Sequence, residues 1–182
     1  MVQLIRSLLT LSALLLVTPA SAVNVRFTNN CPKAIDLQHA SGMFSSFKTI
    51  AKIPMGGARA QAINKGTHSF RFAGSALVRL LYTLLDRAAE FSVTATGVTY
   101  DISVDPSAGQ CNTSECAIIS KLGMDIAPKK ASGASCRPVK CPKTDKAACA
   151  AAYDKEKQAC ATSTDIDVIF CSKGRRLRSD EE

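Results

Sequence analysis

The sequence contains no tryptophan, only two histidines and 5% aromatic residues. Its cationic residues are scattered along the chain, and together with the lack of tryptophan this argues against nucleic-acid recognition. Outside residues 8–17, no apolar run approaches the roughly 20 residues that a transmembrane helix requires. We therefore expect no nucleic-acid partner and no transmembrane segment.

The scarcity of histidine also limits the chemistry of any active site. His39 and His68 both lie far upstream of the two Cys-x4-Cys pairs, the spacing of which vaguely suggests zinc ligands. No Ser-His-Asp or Cys-His arrangement is supported. We predict no metal and no cofactor, and we place both histidines on the surface of strands.

The first 22 residues have the pattern of a secretory signal peptide. Arg6 supplies a positive charge, residues 8–17 are apolar, and Ala20-Ser21-Ala22 is a small-residue cleavage site. The apolar run is too short to span a bilayer. We predict cleavage after Ala22, a secreted, extracellular product, and a mature chain that forms one domain over residues 23–171.

The chain is basic. The 22 Lys and Arg residues that follow residue 22 outnumber the 15 Asp and Glu residues by seven. Such a charge balance can favour anionic surfaces such as phospholipid or acidic polysaccharide, or can serve solubility alone. Residues 172–182 are rich in charge and nearly free of apolar residues, which predicts a disordered tail.

Eight cysteines on a secretory route predict four disulfides. Spacing alone does not choose among the 105 pairings that eight cysteines allow. Asn112-Thr-Ser114 is an N-glycosylation sequon in a predicted loop.

Short β-like segments recur along the chain, separated by turn residues such as Pro54-Met-Gly-Gly57. This spacing predicts an all-β sandwich. The leucine-rich run around residues 77–85 fits a helical face or a buried strand, and its conformation stays open. The alanine-rich segment 147–160 predicts a helix. The predicted strands are residues 23–28, 34–37, 44–53, 59–63, 68–72, 90–94, 99–104 and 168–170.

Several strings of residues, spread in order over most of the mature chain, suggest a family. They are Asn29-Asn30-Cys31-Pro32, Gly56-Gly57-Ala58-Arg59, Ala62-Ile-Asn-Lys-Gly-Thr67, Ala89-Glu90-Phe91-Ser92, Tyr100-Asp101-Ile102-Ser103, Met124-Asp-Ile-Ala-Pro128 and Val168-Ile-Phe-Cys171. Together they resemble the thaumatin-like proteins (osmotin-like, pathogenesis-related family 5). The resemblance implies a disulfide-bonded antiparallel β-sandwich of the thaumatin type, and residues 56–67 are similar to that family's second hairpin.

The chain departs from this family in its cysteine content, since typical members carry sixteen cysteines. The family's cysteine-rich second domain is reduced here to residues 142–160. The family pattern implies disulfides Cys31–Cys171, Cys136–Cys160 and Cys141–Cys149, which leaves Cys111 and Cys116 for each other. A local Cys149–Cys160 bridge is the alternative.

The resemblance also implies an acidic cleft. By motif, Arg71 is its arginine, Glu90 its glutamate and Asp101 its first aspartate. Asp105 is placed as a second aspartate, although it lies one residue early, and a further acid has no counterpart. Such a group can bind sugar hydroxyls or, with suitable spacing, hydrolyse a glycosidic bond. Alternatively, Glu90 and Asp101 are solvated strand ends with Arg71 as their ion-pair partner.

Three functional hypotheses follow. The first is a secreted, monomeric, non-enzymatic protein that binds β-1,3-glucan-type cell-wall polysaccharide through the cleft, with a defence or antifungal-like role. The second is a weak β-1,3-glucanase. The third is a protein that acts on a secreted or host protein, as a host-directed effector or an inhibitor of a secreted hydrolase.

Overall fold

A computed structural model describes residues 22–42, 45–73, 87–104, 123–130, 133–141 and 158–172. Within these ranges every regular element is a β-strand, and no helix is long and apolar enough to cross a bilayer. The strands are β1 Val23–Asn29, β2 Ile35–Ser41, β3 Lys48–Ile53, β4 Ala58–Ile63, β5 Gly66–Ala73, β6 Arg87–Val93, β7 Gly97–Val104, β8 Met124–Pro128, β9 Val139–Cys141, β10 Gln158–Ala161 and β11 Ile166–Phe170.

The strands form two sheets, which confirms the all-β sandwich. The five-stranded sheet has the order β4-β1-β11-β8-β9, and the six-stranded sheet has the order β10-β7-β6-β5-β2-β3. The pairing is antiparallel except between β1 and β11, which run in parallel. Nearly the whole domain separates these two strands along the chain, so no hairpin turn forces them to run in opposite directions.

Alternation of apolar and polar residues explains how the sheets bury their inner faces. In β1, Val23, Val25 and Phe27 are fully buried, while the residues between them face outward. Phe27 meets Phe70 of the other sheet with ring centroids 4.6 Å apart, and it stacks on Phe170 of β11 at 6.1 Å. These aromatic contacts lie at the centre of the core.

Two disulfides reinforce this arrangement. Cys31, just after β1, is joined to Cys171, just after β11, across 140 residues. Cys136 is joined to Cys160 in β10, across 24 residues. Both pairs are ones that the thaumatin-like resemblance implies. The alternative Cys149–Cys160 bridge was wrong, because Cys160 is joined to Cys136. Cys141 is also disulfide-bonded, but Cys149, its expected partner, lies outside the described residues, as do Cys111 and Cys116.

The helix predicted over residues 147–160 was wrong at its end. Residues 147–157 lie outside the described ranges, but Gln158–Ala161 form strand β10 and pair with β7. Alanine favours a helix only weakly, and the edge of β7 together with the Cys136–Cys160 bond provides β-pairing that overrides this preference. The ambiguous run over residues 77–85 also lies outside the described residues.

The chain crosses from one sheet to the other through residues 48–63, which we call the β3–β4 arch. Strands β3 and β4 lie at the edges of different sheets, so they do not form a hairpin with each other. The same holds for β4 and β5, so the hairpin implied for residues 56–67 is a second crossing between sheets. At the edges formed by β3 and β4, the two sheets are therefore connected by the chain and not by hydrogen bonds between strands.

The turn of the arch spans residues 54–57. The Gly57 N–H donates to the Pro54 carbonyl at 2.9 Å, and Gly56 has φ of 72°, which are the features of a type II turn. Two backbone hydrogen bonds from Asn29, at the end of β1, hold this turn in place. Its N–H donates to the Gly57 carbonyl at 2.9 Å, and its carbonyl accepts from the Gly56 N–H at 2.8 Å.

Candidate functional site

A polar groove lies on the outer face of the six-stranded sheet, across β5, β6 and β7. Residues two apart on a strand share a face, so hydroxyl and carboxyl side chains from the three strands are presented together. The concavity has a volume of about 250 Å³. Its lining consists of Thr67, His68, Ser69, Glu90, Phe91, Ser92, Thr99, Tyr100 and Asp101.

Two of the predicted acids meet in this groove. Glu90 of β6 is directly opposite Asp101 of β7, and Ser69 of β5 is opposite Glu90 on the other side. The Ser69 hydroxyl donates to Glu90 Oε1 at 3.4 Å. Directly opposed residues on neighbouring strands have Cβ atoms about 4.5–5.5 Å apart. The structure therefore brings two carboxyl groups together at one point of the sheet.

The interpretation of these acids as solvated strand ends was wrong. Glu90 and Asp101 both lie in the middle of their strands, and Asp101 is only 5% exposed while Glu90 is half-buried. Both are flanked along their strands by hydroxyl side chains on the same face, Ser92 beside Glu90 and Thr99 beside Asp101. The two acids therefore belong to a polar face that runs across the middle of the sheet.

Arg71 lies on the same face of the sheet, two residues along β5 from Ser69. Its Nε donates to Gln38 Oε1 at 2.8 Å, and its guanidinium carbon lies 4.0 Å from the centre of the Phe47 ring. Gln38 in turn donates to the Thr49 hydroxyl at 3.4 Å. Arg71 is therefore held beside the groove by β2 and by the segment before β3, and is not among the residues that line the groove.

The remaining predicted positions are not placed by the structure. Asp105, Asn112, Cys111, Cys116 and Cys149 lie outside the described residues. Within the described ranges, no three His, Cys, Asp or Glu side chains are grouped so that they could hold a metal ion.

The hydroxyl residues of the groove were not predicted from the sequence; they are Thr67, Ser69, Ser92 and Thr99. The signal that could have found them is the period of two along each strand, because a residue two positions from a candidate acid shares its face. What the sequence alone does not supply is the register that places Ser69, Glu90 and Asp101 in one row.

The prediction that both histidines lie on the surface was also wrong. His68 is 8% exposed and His39 is half-buried, and their rings stack on each other with centroids 5.2 Å apart. His39 Nε2 is 3.0 Å from His68 Nδ1, and His68 Nε2 is 2.9 Å from the Asn64 carbonyl. His39 also stacks on Phe70 at 4.4 Å. The pair extends the aromatic core to the end of the sandwich.

The environment of His39 makes stability dependent on pH. Burial, and then the nearby His68, lower the pKa of His39 below its ordinary value of 6.5. The unfolded chain then binds more protons than the folded one, so stability is fully present above pH 6.5 and falls as the pH decreases through the lowered pKa. The slope for one such group is at most about 1.4 kcal/mol per pH unit.

We expect the His39→Gln variant to lose part of this pH dependence between pH 7 and pH 5. The measurement is the free energy of unfolding by urea at several pH values in that range. Burial raises the pKa of Asp125 from 3.8, which gives a contribution of the opposite sign, but Asp125 is present in both proteins and therefore cancels when the variant is compared with the wild type. If the free energy of unfolding of the variant depends on pH as steeply as that of the wild type, His39 is not the cause of the dependence.

Comparison with solved structures shows the fold. The crystal structure of the protein elicitor MoHrip2 from Magnaporthe oryzae matches with a TM-score of 0.55 and 13% identity, over 82% of this chain and 99% of that one. The thaumatin-like xylanase inhibitor TLXI matches with a TM-score of 0.53 and 11% identity, over 81% of this chain and 98% of that one. No protein-family model and no curated protein sequence matches the chain. The chain has the thaumatin-like fold.

Proposed function

Starting from a thaumatin-like fold with a polar groove, we propose that the chain is a secreted, non-catalytic protein that binds β-1,3-glucan-type cell-wall polysaccharide. The observation that carries the proposal is the row Ser69, Glu90 and Asp101 in an open concavity. Two carboxyl groups in one row of the groove supply acceptors for a ligand that is rich in hydroxyl donors. A defence or antifungal-like role is consistent with such binding.

The chemistry of the groove suits sugar hydroxyls. A carboxylate accepts hydrogen bonds only, and a charge-assisted bond from a hydroxyl is stronger than a neutral one. Ser and Thr hydroxyls both donate and accept, so the four that line the groove can adapt to a run of sugar hydroxyls. Arg71 at the side of the groove adds a donor, and Asp105 is proposed as a further acid of the same site.

Hydrolysis is not part of the proposal. A glycosidase requires one carboxyl group that stays protonated and a second at a defined separation, about 5–5.5 Å for retention or 6.5–9.5 Å for inversion. It also needs water to be excluded from the bond that is cleaved. Here the two carboxyl groups lie on the face of a sheet in an open concavity, where solvent reaches Glu90. We therefore propose binding without turnover.

We expect the mature protein to sediment with insoluble β-1,3-glucan and the Glu90→Gln variant to bind at least about tenfold more weakly, because one charge-assisted bond contributes about 1.5–3 kcal/mol. Stability of the variant should be nearly unchanged, since glutamine keeps the shape of the side chain and an acceptor for the Ser69 hydroxyl. Co-sedimentation and urea unfolding measure the two effects.

The matched control is Asp165→Asn, which removes the same charge from the loop just before β11 of the other sheet, where the Asp165 side chain is about half exposed. It should bind glucan like the wild type. Soluble laminarin-type glucan incubated with the protein should release no reducing sugar above a heat-inactivated sample. Equal retention of wild type and Glu90→Gln, or turnover that both Glu90→Gln and Asp101→Asn abolish, would contradict the proposal.

A second candidate function is inhibition of a secreted hydrolase. It is favoured by the likeness to the xylanase inhibitor, which the chain covers over nearly the whole length of that protein. Such a role requires a protein surface that fits an enzyme, and the groove does not supply one. The likeness to an elicitor protein supports the related hypothesis of a protein that acts on a host.

We further propose that residues 1–22 are a removed signal peptide and that the chain from residue 23 to residue 171 forms a single extracellular domain. The disordered tail predicted from residue 172 cannot begin there, because Ser172 is buried and its hydroxyl donates to Asp125 Oδ1 at 2.9 Å; we propose it for residues 173–182. The disulfides of the described residues are consistent with an oxidising compartment. Intact mass of the secreted protein tests the cleavage after Ala22 and reveals whether Asn112 carries a glycan.

A further inference from the structure

The β3–β4 arch carries an apolar surface that the rest of the described chain avoids. Among the described residues, only Ile50 and Met55 are large hydrophobic side chains with high exposure, at 39% and 66%. Ile50 is exposed because it is the extra residue of a β-bulge, where Leu37 pairs with Ala51 and Gln38 with Thr49. Met55 is exposed because it occupies the tip of the type II turn.

The tip is rigid although it is exposed. A Cβ atom on Gly57 would lie 2.7 Å from Pro54 Cγ, so only glycine allows the turn to close this tightly. The fully buried Asn29 side chain donates to the carbonyls of Ile53 and Pro54 at 3.0 and 3.1 Å. A loop that is held in one conformation loses little entropy when it binds.

The arch is also basic. Lys48, Lys52 and Arg59 are all exposed, and none of the three forms an ion pair with another described residue. The nearest acid in register is Asp36, opposite Lys52. The arch therefore presents an apolar tip between unpaired positive charges, which complements a partner that is concave, partly apolar and acidic.

We propose that the β3–β4 arch is an inhibitory arm that enters the acidic active-site cleft of a secreted glycoside hydrolase, with Met55 at its tip. This proposal rests on the inhibitor role proposed above, and it identifies the arch as the surface that binds the enzyme. Glycoside hydrolases carry a pair of carboxyl groups in a cleft, and Lys52 and Arg59 on either side of the tip match that charge. The groove of Glu90 and Asp101 is itself concave and acidic, so it would repel such a cleft.

The test uses the full mature protein against two probe enzymes, an endo-1,4-β-xylanase and an endo-β-1,3-glucanase. We expect inhibition of at least one of them that is competitive with substrate and weakens as salt is added, because the arch occupies the cleft and its charges are exposed. Met55→Ser and the double variant Lys52→Gln/Arg59→Gln should each raise the inhibition constant about tenfold or more, as expected for anchor residues of an interface.

The matched control is the double variant Arg137→Gln/Lys140→Gln, which removes two exposed charges far from the arch in sequence and should inhibit like the wild type. Far-ultraviolet circular dichroism checks that each variant is folded.

The outcomes separate the two proposals. Inhibition by the wild type that survives in the arch variants overturns the arch and leaves the inhibitor role. Failure of the wild type to inhibit either probe overturns both. Arch-dependent binding to phosphatidylserine vesicles without inhibition assigns the arch to a membrane surface and also overturns the proposal.

Discussion

Removal of the Cys31–Cys171 disulfide in the double variant Cys31→Ser/Cys171→Ser should lower the free energy of unfolding by about 5 kcal/mol, the largest single effect expected for this chain. The bond closes a loop of 140 residues and thereby restricts the unfolded chain over nearly the whole domain. Such a loss is comparable to the total stability of many domains. Urea or guanidinium unfolding monitored by circular dichroism measures it.

The Cys136→Ser/Cys160→Ser variant is the internal control. Its loop spans 24 residues, and the same chain-entropy relation gives about 3.5 kcal/mol. Both variants replace two cysteines by serines, so the difference between them reports loop length rather than the loss of sulfur. An equal or larger loss for the shorter loop would contradict this explanation.

The location of this bond could be predicted because both ends of the domain carry local signals. Val25 and Phe27 alternate with polar residues before Cys31, and Ile166 and Val168 lie on either side of Asp167 before Cys171. Alternation indicates which face of a strand is buried. The thaumatin-like resemblance then implies that the cysteines at the two strand ends are joined. Alternation does not report strand direction, so it could not reveal that β1 and β11 run in parallel.

The candidate site, too, could be predicted from the sequence only in part. Glu90 and Asp101 were found because each lies in a string that resembles the family. Ser69 and Thr99 were not singled out, and they join the site only through the register of β5, β6 and β7. Register depends on contacts between distant parts of the chain, and a shift by one residue would turn every one of these side chains to the other face.

The predictions for the two histidines and for the end of the helix were wrong for a related reason. A lone His39 or His68 in an alternating strand gives no indication of whether its face is covered, and the pair is buried only because β2 and β5 are neighbours. Gln158–Ala161 have a weak local preference that β7 overrides. In each case a contact across the sheet decided the structure, and local sequence carries no record of such a contact.

The second large effect is expected at Asn29, where Asn29→Ala should cost about 3–5 kcal/mol. This side chain is fully buried, and its amide group donates to the carbonyls of Lys33, Ile53 and Pro54 at 2.9–3.1 Å. Its Oδ1 accepts the Cys31 N–H at 2.9 Å. Truncation leaves several buried backbone groups without partners and opens a cavity between β1 and the arch. Guanidinium unfolding measures the loss.

Two further variants identify the cause of that loss. Asn29→Asp keeps the shape and the acceptor for Cys31 but replaces the donating amide with a carboxyl group, so it should destabilise the fold about as much as Asn29→Ala. Asn24→Ala removes an asparagine on the same strand whose amide makes one exposed contact to Asp165 at 3.3 Å, and it should change stability by less than about 0.5 kcal/mol. If Asn29→Asp is as stable as the wild type, the hydrogen bonds from the Asn29 amide do not stabilise the arch. If it is destabilised and inhibition of the probe hydrolase falls in parallel, the same buried amide supports both the fold of the arch and its proposed function.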